Sequence, residues 1–226
     1  MRTDKWFEGK GAYMNVHPEQ LLFYAITDRR FAGPQTLYEQ VKLALMGGVT
    51  MLQLREKHLS HEELKKEALL IKELCRTYQV PLIINDNVEL AKEIDADGVH
   101  VGAKDLNPAR AREILGPDKI IGASARTLEQ ALTAQQQGAD YLGTGAMFPT
   151  SSKADAKEVS HETAKKICAA VKIPVVAIGG ITKENLAQLA GLGFCGAAMI
   201  SAVFAQQDIF KGTQELKELT QQVFSS

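Results

Sequence analysis

The feature that most constrains the fold is a repeat of short apolar runs, each followed by residues with apolar side chains at helical spacing. Eight such runs begin about 25 residues apart, which suits strand–helix–strand units with right-handed crossovers. Continuous apolar runs are typical of parallel strands that are buried on both faces. The predicted strands span residues 21–26, 49–54, 80–84, 98–101, 119–123, 141–143, 174–178 and 196–200.

A helix is predicted after each strand. Ser60 is a good N-cap, and Glu62 and Glu63 suit the positive end of the dipole of the helix that follows it. Pro108 stands at a position where proline favours the first turn of a helix. The other predicted helices span residues 36–46, 88–93, 108–115, 128–137, 162–171, 184–190 and 210–224.

Eight strand–helix units predict an α/β protein with a closed (β/α)8 TIM barrel, which about 200 residues can form. A doubly wound open sheet is the alternative, but no GxGxxG motif follows the first strand. The chain of 226 residues is therefore interpreted as an N-terminal extension over residues 1–20 and one barrel domain over residues 21–226.

The charge balance argues against nucleic acid as a partner. The chain has 26 Lys+Arg and 27 Asp+Glu, a formal net charge of −1, so it lacks the general positive field that such binding needs. A local cationic pocket for a small anion remains compatible with this balance.

Membrane and secretion signals are also missing from the pattern. No run reaches the length of a membrane helix, and residues 1–11 lack the apolar core of a signal peptide. Three widely spaced cysteines, Cys75, Cys168 and Cys195, form no CxxC pair, which indicates reduced thiols and a cytoplasmic protein. The sequence leaves the oligomeric state open, with a homo-oligomer as one alternative.

A barrel carries its active site at the carboxyl ends of its strands. Alternation along the second strand places Gln53, Arg55 and Lys57 on one side, where they can face the mouth. Two cations and an amide donor predict a site for an anion with several oxygens, such as a diphosphate. The alternative is a surface charge cluster in which Glu56 neutralises a neighbour.

Two carboxylates follow neighbouring strands. Asp86 comes after the third strand and Asp105 after the fourth. Such a pair suits Mg²⁺, which keeps several waters and shares phosphate oxygens with a substrate. Taken singly, Asp86 is interpreted as a turn-forming acid and Asp105 as a residue that caps the next helix. Together with Arg55 and Lys57 they favour a metal and diphosphate site.

The second half of the chain supplies candidates for binding phosphate. Ser124 ends the fifth strand, and the polar loop over residues 143–157 is long enough to form a lid, with a disordered loop as the alternative. The loops after strands 7 and 8 commonly hold phosphate in barrels. Their candidates, with those of the lid, are Thr150, Ser152, Lys153, Gly180, Ile200 and Ser201.

Histidine gives little sign of a metal centre. His100 ends an apolar strand and is predicted to be a core residue or to support the site from behind. His58 and His61 lie three residues apart with no third ligand, so the spacing does not favour zinc.

Seven short motifs occur in order at the predicted strand ends, and in this arrangement the chain resembles the thiamin phosphate synthase family. The resemblance runs from about Leu22 to Val203. The motifs are ITDR at 26–29, QLREK at 53–57, IND at 84–86, DGVHVG at 97–102, IGAS at 121–124, FPTSSK at 148–153 and AIGGI at 177–181.

The resemblance implies a TIM barrel that joins hydroxymethylpyrimidine diphosphate to hydroxyethylthiazole phosphate, releasing pyrophosphate. It implies a dissociative reaction assisted by Mg²⁺ on Asp86 and Asp105. In the family's pattern, the pyrimidine diphosphate is held by Gln53, Arg55, Lys57 and Asn85, with help from Ser124 and Lys153. Catalysis is then assigned to Arg55, Lys57, Ser124 and Lys153. In the same pattern, the thiazole phosphate is bound by Thr150, Ser152, Gly180, Ile200 and Ser201.

The chain departs from the family pattern at a few positions. Asn87 stands where Arg is usual, Ala103-Lys104 where Gln and a polar residue are common, and Arg126 where His is common. Two rival interpretations are a thiazole tautomerase and a phosphate-binding barrel without activity. Tautomerases tend to lack the metal acids and the loop lysine, so the residues present favour the synthase.

Overall fold

The strands form a closed parallel barrel. The structure is a computed structural model that describes residues 15–102, 106–150 and 158–225. Each strand pairs with its sequence neighbours, and β8 pairs with β1. The TIM barrel predicted from the repeat is confirmed. The strands are β1 (Phe23–Ile26), β2 (Met51–Leu54), β3 (Leu82–Asn85), β4 (Gly98–Val101), β5 (Ile120–Ala125), β6 (Tyr141–Thr144), β7 (Val175–Ile178) and β8 (Gly196–Met199).

Helices cover the outside of the barrel. Thr36 and Ser60 form capping boxes at the first two helices, and of these two caps Ser60 was predicted from the sequence. The helices are α1 (Leu37–Met46), α2 (His61–Thr77), α3 (Val88–Glu93), α4 (Pro108–Leu115), α5 (Leu128–Gln136), α6 (His161–Ala170), α7 (Ser201–Phe204) and α8 (Ile209–Phe224).

The segment after β7 corrects one prediction. A helix was expected over residues 184–190, but the structure has a single 3-10 turn, Leu186–Leu189. The Asn185 side chain accepts from the Thr182 amide and donates to the Gly180 carbonyl, which fixes a turn at the start of the segment. Gly191, with φ of +71°, then ends it. The short helix α7, directly after β8, was not predicted.

The core has two layers. The outer layer lies between strands and helices, and the inner layer fills the barrel itself. Met51, Ile83 and Val176 are buried in the inner layer. These side chains form an apolar plug beneath the carboxyl ends of the strands, in keeping with the packed interior of such barrels.

Residues 15–21 close the floor of the barrel. Val16 and Leu21 are fully buried and belong to the inner core layer. The Asn15 side chain donates to the carbonyls of Pro117 (2.8 Å) and Lys119 (3.2 Å). The described end of the segment assigned above to an N-terminal extension thus packs against the barrel.

Within the described parts of the chain, no helix has both the length and the apolar character needed to cross a membrane.

The packing of the barrel floor predicts that two leucine-to-alanine substitutions differ in their effect on stability. Leu21→Ala should lower the free energy of unfolding by about 2–5 kcal/mol, because it leaves a cavity in the inner core. Leu70 on α2 is 61% exposed. Leu70→Ala, the matched control, should change stability by less than about 0.5 kcal/mol. Urea unfolding followed by circular dichroism measures both, and equal losses would show that residues 18–21 do not seal the barrel.

Candidate active site

A cavity opens at the carboxyl ends of the strands. It encloses about 1010 Å³ including its open mouth, and it adjoins a second cavity, since Asn85 lines both. Side chains from opposite arcs of the barrel meet there. Of the residues predicted from sequence, the cavity is lined by Gln53, Arg55, Asn85, Ser124, Thr150, Gly180, Ile200 and Ser201.

The second cavity is lined by two more of the predicted residues. Lys57 and Asp86 line it together with Asn85. The sequence placed Lys57 beside Gln53 and Arg55, whereas the structure places it next to the predicted metal ligand. The remaining candidates, Asp105, Ser152 and Lys153, lie outside the described residues.

Arg55 is one of the cations that line the cavity at the predicted anion site. Its backbone amide donates to the Thr27 hydroxyl at 2.9 Å, which fixes the start of the loop after β2. Its guanidinium lies 3.7 Å from a carboxylate oxygen of Asp28, and its side chain is 15% exposed. Arg55 is therefore held at the wall of the cavity while part of it faces the opening.

Asp28 is itself shared with a second arginine. Burial raises the pKa of Asp28, but hydrogen bonds from Arg30 and the charge of Arg55 outweigh burial, so the net pKa lies below its ordinary value. Arg30 donates to both carboxylate oxygens of Asp28. Because Arg30 satisfies most of this carboxylate, Arg55 keeps donors for a ligand.

Glu56 does not neutralise Arg55 or Lys57. Its carboxylate lies 3.2 Å from Arg29 Nε, with its side chain 3% exposed. Burial raises the pKa of Glu56 above its ordinary value despite this pairing. The charge-cluster alternative assigned Glu56 to a neighbouring cation, and the structure pairs it with Arg29 instead.

Asp86 has a backbone conformation that is rare for residues other than glycine. Its φ is +59°, and its amide donates to the His100 carbonyl at 2.9 Å. The carboxylate accepts from the Gly102 amide at 3.2 Å and from the Asn85 side chain at 2.5 Å. Such a conformation is held by surrounding contacts and is often found at functional sites.

The surroundings of Asp86 fit one ligand of a Mg²⁺ ion. The side chain is exposed at the mouth, and Mg²⁺ needs one or two carboxylates with substrate oxygens and waters. Among the described residues no group of three His, Cys, Asp or Glu side chains forms a metal centre. Asp105, the second predicted ligand, is not among those residues.

Gly180 brings the loop after β6 against the loop after β7. Its φ is +66°, and a Cβ there would lie 2.4 Å from the Pro149 carbonyl oxygen and 2.5 Å from that of Phe148. The sequence predicted that glycine here lets the backbone approach an anion. The structure gives an additional reason, because only glycine lets the start of the predicted lid pack this closely.

Several lining residues were not assigned to the site from sequence. Tyr24 was interpreted as part of an apolar strand. Arg126 was noted as a cation at the end of the fifth strand and as a departure from a family pattern, but it was not among the predicted site residues. The signal that was missed is the alternation of β1, which places Tyr24 and Ile26 on the inner face. His100, expected to be a core or supporting residue, is 8% exposed and lies behind Ser124.

Comparison with known proteins gives one consistent result. The model of the family described as thiamine monophosphate synthase matches residues 23–203. A thiamine-phosphate synthase of Ruminiclostridium cellulolyticum is 48% identical over 196 residues, 87% of this chain and 93% of the relative. One of Clostridium botulinum is 46% identical over 195 residues, 86% and 92% of the two chains.

A solved structure is also similar over nearly the whole length. The thiamine phosphate pyrophosphorylase of Pyrococcus furiosus superimposes with a TM-score of 0.84 at 42% identity. The match covers 91% of this chain and 98% of that one.

The position of Arg55 predicts that it binds anions. Arg55→Ala should weaken binding of inorganic pyrophosphate by roughly 10- to 100-fold, the worth of hydrogen bonds to a charged group. Arg76→Ala on the exposed surface of α2 is the control for net charge and should leave the affinity unchanged. Titration calorimetry measures both, and equal affinities of the two variants would remove Arg55 from the anion site.

Proposed function

Because the chain belongs to the thiamine monophosphate synthase family, and is thus a thiamine-phosphate synthase and a transferase, we propose its substrates and the way its residues act on them. The substrates are hydroxymethylpyrimidine diphosphate and hydroxyethylthiazole phosphate, and the products are thiamine phosphate and pyrophosphate. The observation that carries this proposal is the meeting of predicted diphosphate and phosphate residues in one cavity.

The diphosphate lies on the arc formed by β2, β3 and β5. Arg55, Asn85 and Ser124 line this side of the cavity, and Lys57 lies next to it in the adjoining one. Donors of both kinds, charged and neutral, suit the oxygens of a leaving group whose negative charge grows during the reaction. Lys153 belongs to the same group of charges in this proposal.

The thiazole phosphate lies on the opposite arc, after β6, β7 and β8. Thr150, Gly180, Ile200 and Ser201 line this side, and Ser152 would join them from the loop. Holding the two substrates on facing arcs brings the thiazole nitrogen towards the pyrimidine methylene carbon. Such positioning converts a reaction between two molecules into one within a single complex.

Asp86 and Asp105 would hold Mg²⁺, and the bound ion would supply positive charge to the diphosphate oxygens. Asp86 is suited to this because it stands at the mouth beside Asn85, which reaches both cavities.

The bond changes require no nucleophile from the protein. The bond between the methylene carbon and the diphosphate oxygen breaks, and its electron pair leaves with pyrophosphate. The aminopyrimidine ring stabilises the resulting cation, and the thiazole nitrogen then supplies the electron pair of the new C–N bond. Arg55 and Lys57 stabilise the departing charge, and the loop after β6 keeps water from the cation.

We also propose a cytoplasmic location. The support is chemical, since Cys75, Cys168 and Cys195 form no disulfide and the first two are buried.

The direct test supplies both substrates to the purified protein, with Mg²⁺ in one arm and EDTA in the other. Chromatography follows thiamine phosphate, and a coupled assay follows pyrophosphate. Formation of both products in equal amounts in the Mg²⁺ arm, with neither formed in the EDTA arm, supports the proposal. No product at saturating substrates would contradict it and would favour the tautomerase or the binding protein, with Asn87, Lys104 and Arg126 the first residues to examine.

The metal assignment gives a separate prediction. Asp86→Asn should raise the Mg²⁺ concentration for half-maximal activity about 10-fold or more, because an amide oxygen carries no full charge to bind a hard cation. Asp118→Asn, a control at the opposite end of the barrel, should not move it. A Mg²⁺ titration of initial rates measures both, and an unchanged midpoint in Asp86→Asn would remove this residue from the metal site.

A further inference from the structure

A chain of hydrogen bonds crosses the barrel at the base of the cavity. Gln53 Nε2 donates to the Tyr24 hydroxyl at 2.6 Å, and the hydroxyls of Tyr24 and Tyr141 lie 2.9 Å apart. The Tyr141 hydroxyl lies 3.0 Å from His100 Nδ1, and His100 Nε2 lies 3.0 Å from Ser124 Oγ. Five strands contribute one residue each, and the chain links two residues of the predicted diphosphate site.

The chemistry of the five groups gives this chain a direction. Burial raises the pKa of both Tyr24 and Tyr141, so each hydroxyl keeps its proton and can donate once. Since Tyr24 accepts from Gln53, its own proton goes to Tyr141, and the proton of Tyr141 goes to His100 Nδ1. A neutral imidazole that accepts at Nδ1 carries its proton at Nε2 and donates it to Ser124.

The direction decides what Ser124 offers to a ligand. Because its oxygen accepts from His100, its own O–H is directed elsewhere, and Ser124 lines the cavity. In the reverse direction Ser124 would donate to His100 and present only lone pairs, which repel an anion.

Gly122 provides the space that this chain of hydrogen bonds needs. A Cβ on Gly122 would lie 2.1 Å from Cζ of Tyr141 and 2.4 Å from its hydroxyl oxygen. The glycine of the IGAS motif thus allows the tyrosine ring to lie across β5, two residues before Ser124. Tyr141 is fully buried and is not among the residues that line the cavity.

We infer that Tyr24, Tyr141 and His100 are positioning residues that set the Ser124 hydroxyl as a donor to the anionic substrate. The inference deepens the proposed function and rests on it for the identity of the diphosphate. It goes further in assigning a role to Tyr141, which touches no ligand. Gln53, which lines the cavity at the other end, is held by the same chain through one N–H of its amide.

Tyr141→Phe tests the inference because it removes one hydroxyl and keeps the ring. It should weaken binding of inorganic pyrophosphate roughly 10-fold, because His100 loses the donor that fixes its tautomer and Ser124 then turns its proton towards His100. In a Ser124→Ala background the same change should alter the affinity less than about 2-fold, since coupled residues are not additive. Titration calorimetry of the four proteins completes the cycle.

A matched control separates this effect from a loss of packing. Thr144 lies on the same strand, is fully buried, and its hydroxyl makes no hydrogen bond among the described residues. Thr144→Val should leave the pyrophosphate affinity unchanged. Equal weakening by Tyr141→Phe with and without Ser124 would show a structural role and overturn the inference.

The tautomer of His100 gives a readout that packing would not change. Nitrogen-15 NMR should show the Nε2–H form in the unaltered protein and a larger Nδ1–H fraction in Tyr141→Phe, with the signal assigned by His100→Gln. An Nδ1–H form in the unaltered protein would overturn the inference. Neither the calorimetry nor the NMR measurement depends on turnover, so a missing synthase reaction would disprove the proposed function without deciding this inference.

Discussion

Closure of the barrel is the constraint on which the other features depend. In a closed parallel sheet every second side chain points into a space with no exit through the wall, so each inward residue needs a partner inside. The interior of the barrel meets this requirement with successive layers of side chains. Val16 and Leu21 seal the floor, apolar side chains fill the middle, and the hydrogen-bonded polar residues from Gln53 to Ser124 form the base of the cavity. The cavity opens above these packed layers and is available to ligands.

The polar layer explains how two buried tyrosines and a histidine can lie inside a hydrophobic barrel. A buried hydroxyl without a partner costs about 1–3 kcal/mol, so polar groups at this depth are retained where each finds a hydrogen bond. Here the bonds continue from strand to strand until they reach Ser124 and Gln53 at the cavity wall. The same bonds that satisfy the interior also orient the site, which links the packing of the barrel to the proposed chemistry.

Much of the architecture could be predicted from the sequence, because apolar runs and helix caps are local signals. The strand ends carried the site candidates, since a barrel gathers them at one mouth. What the sequence could not show was how residues far apart in the chain come together. Glu56 pairs with Arg29 and not with Arg55, and Lys57 lines the same cavity as Asp86, because these positions depend on loop conformation. Alternation along β1 carries the signal for the inward position of Tyr24, but no local signal shows its partner on β6.

The central claim is that one cavity holds the leaving pyrophosphate and the product phosphate on opposite arcs. The most direct test is a crystal structure of the protein with thiamine phosphate, pyrophosphate and Mg²⁺. The account predicts pyrophosphate against Arg55, Asn85 and Ser124, with the Ser124 hydroxyl within hydrogen-bond distance of one of its oxygens. It predicts the thiamine phosphate group against Gly180 and Ser201. Pyrophosphate bound on the arc of β6–β8, or outside this cavity, would contradict the account.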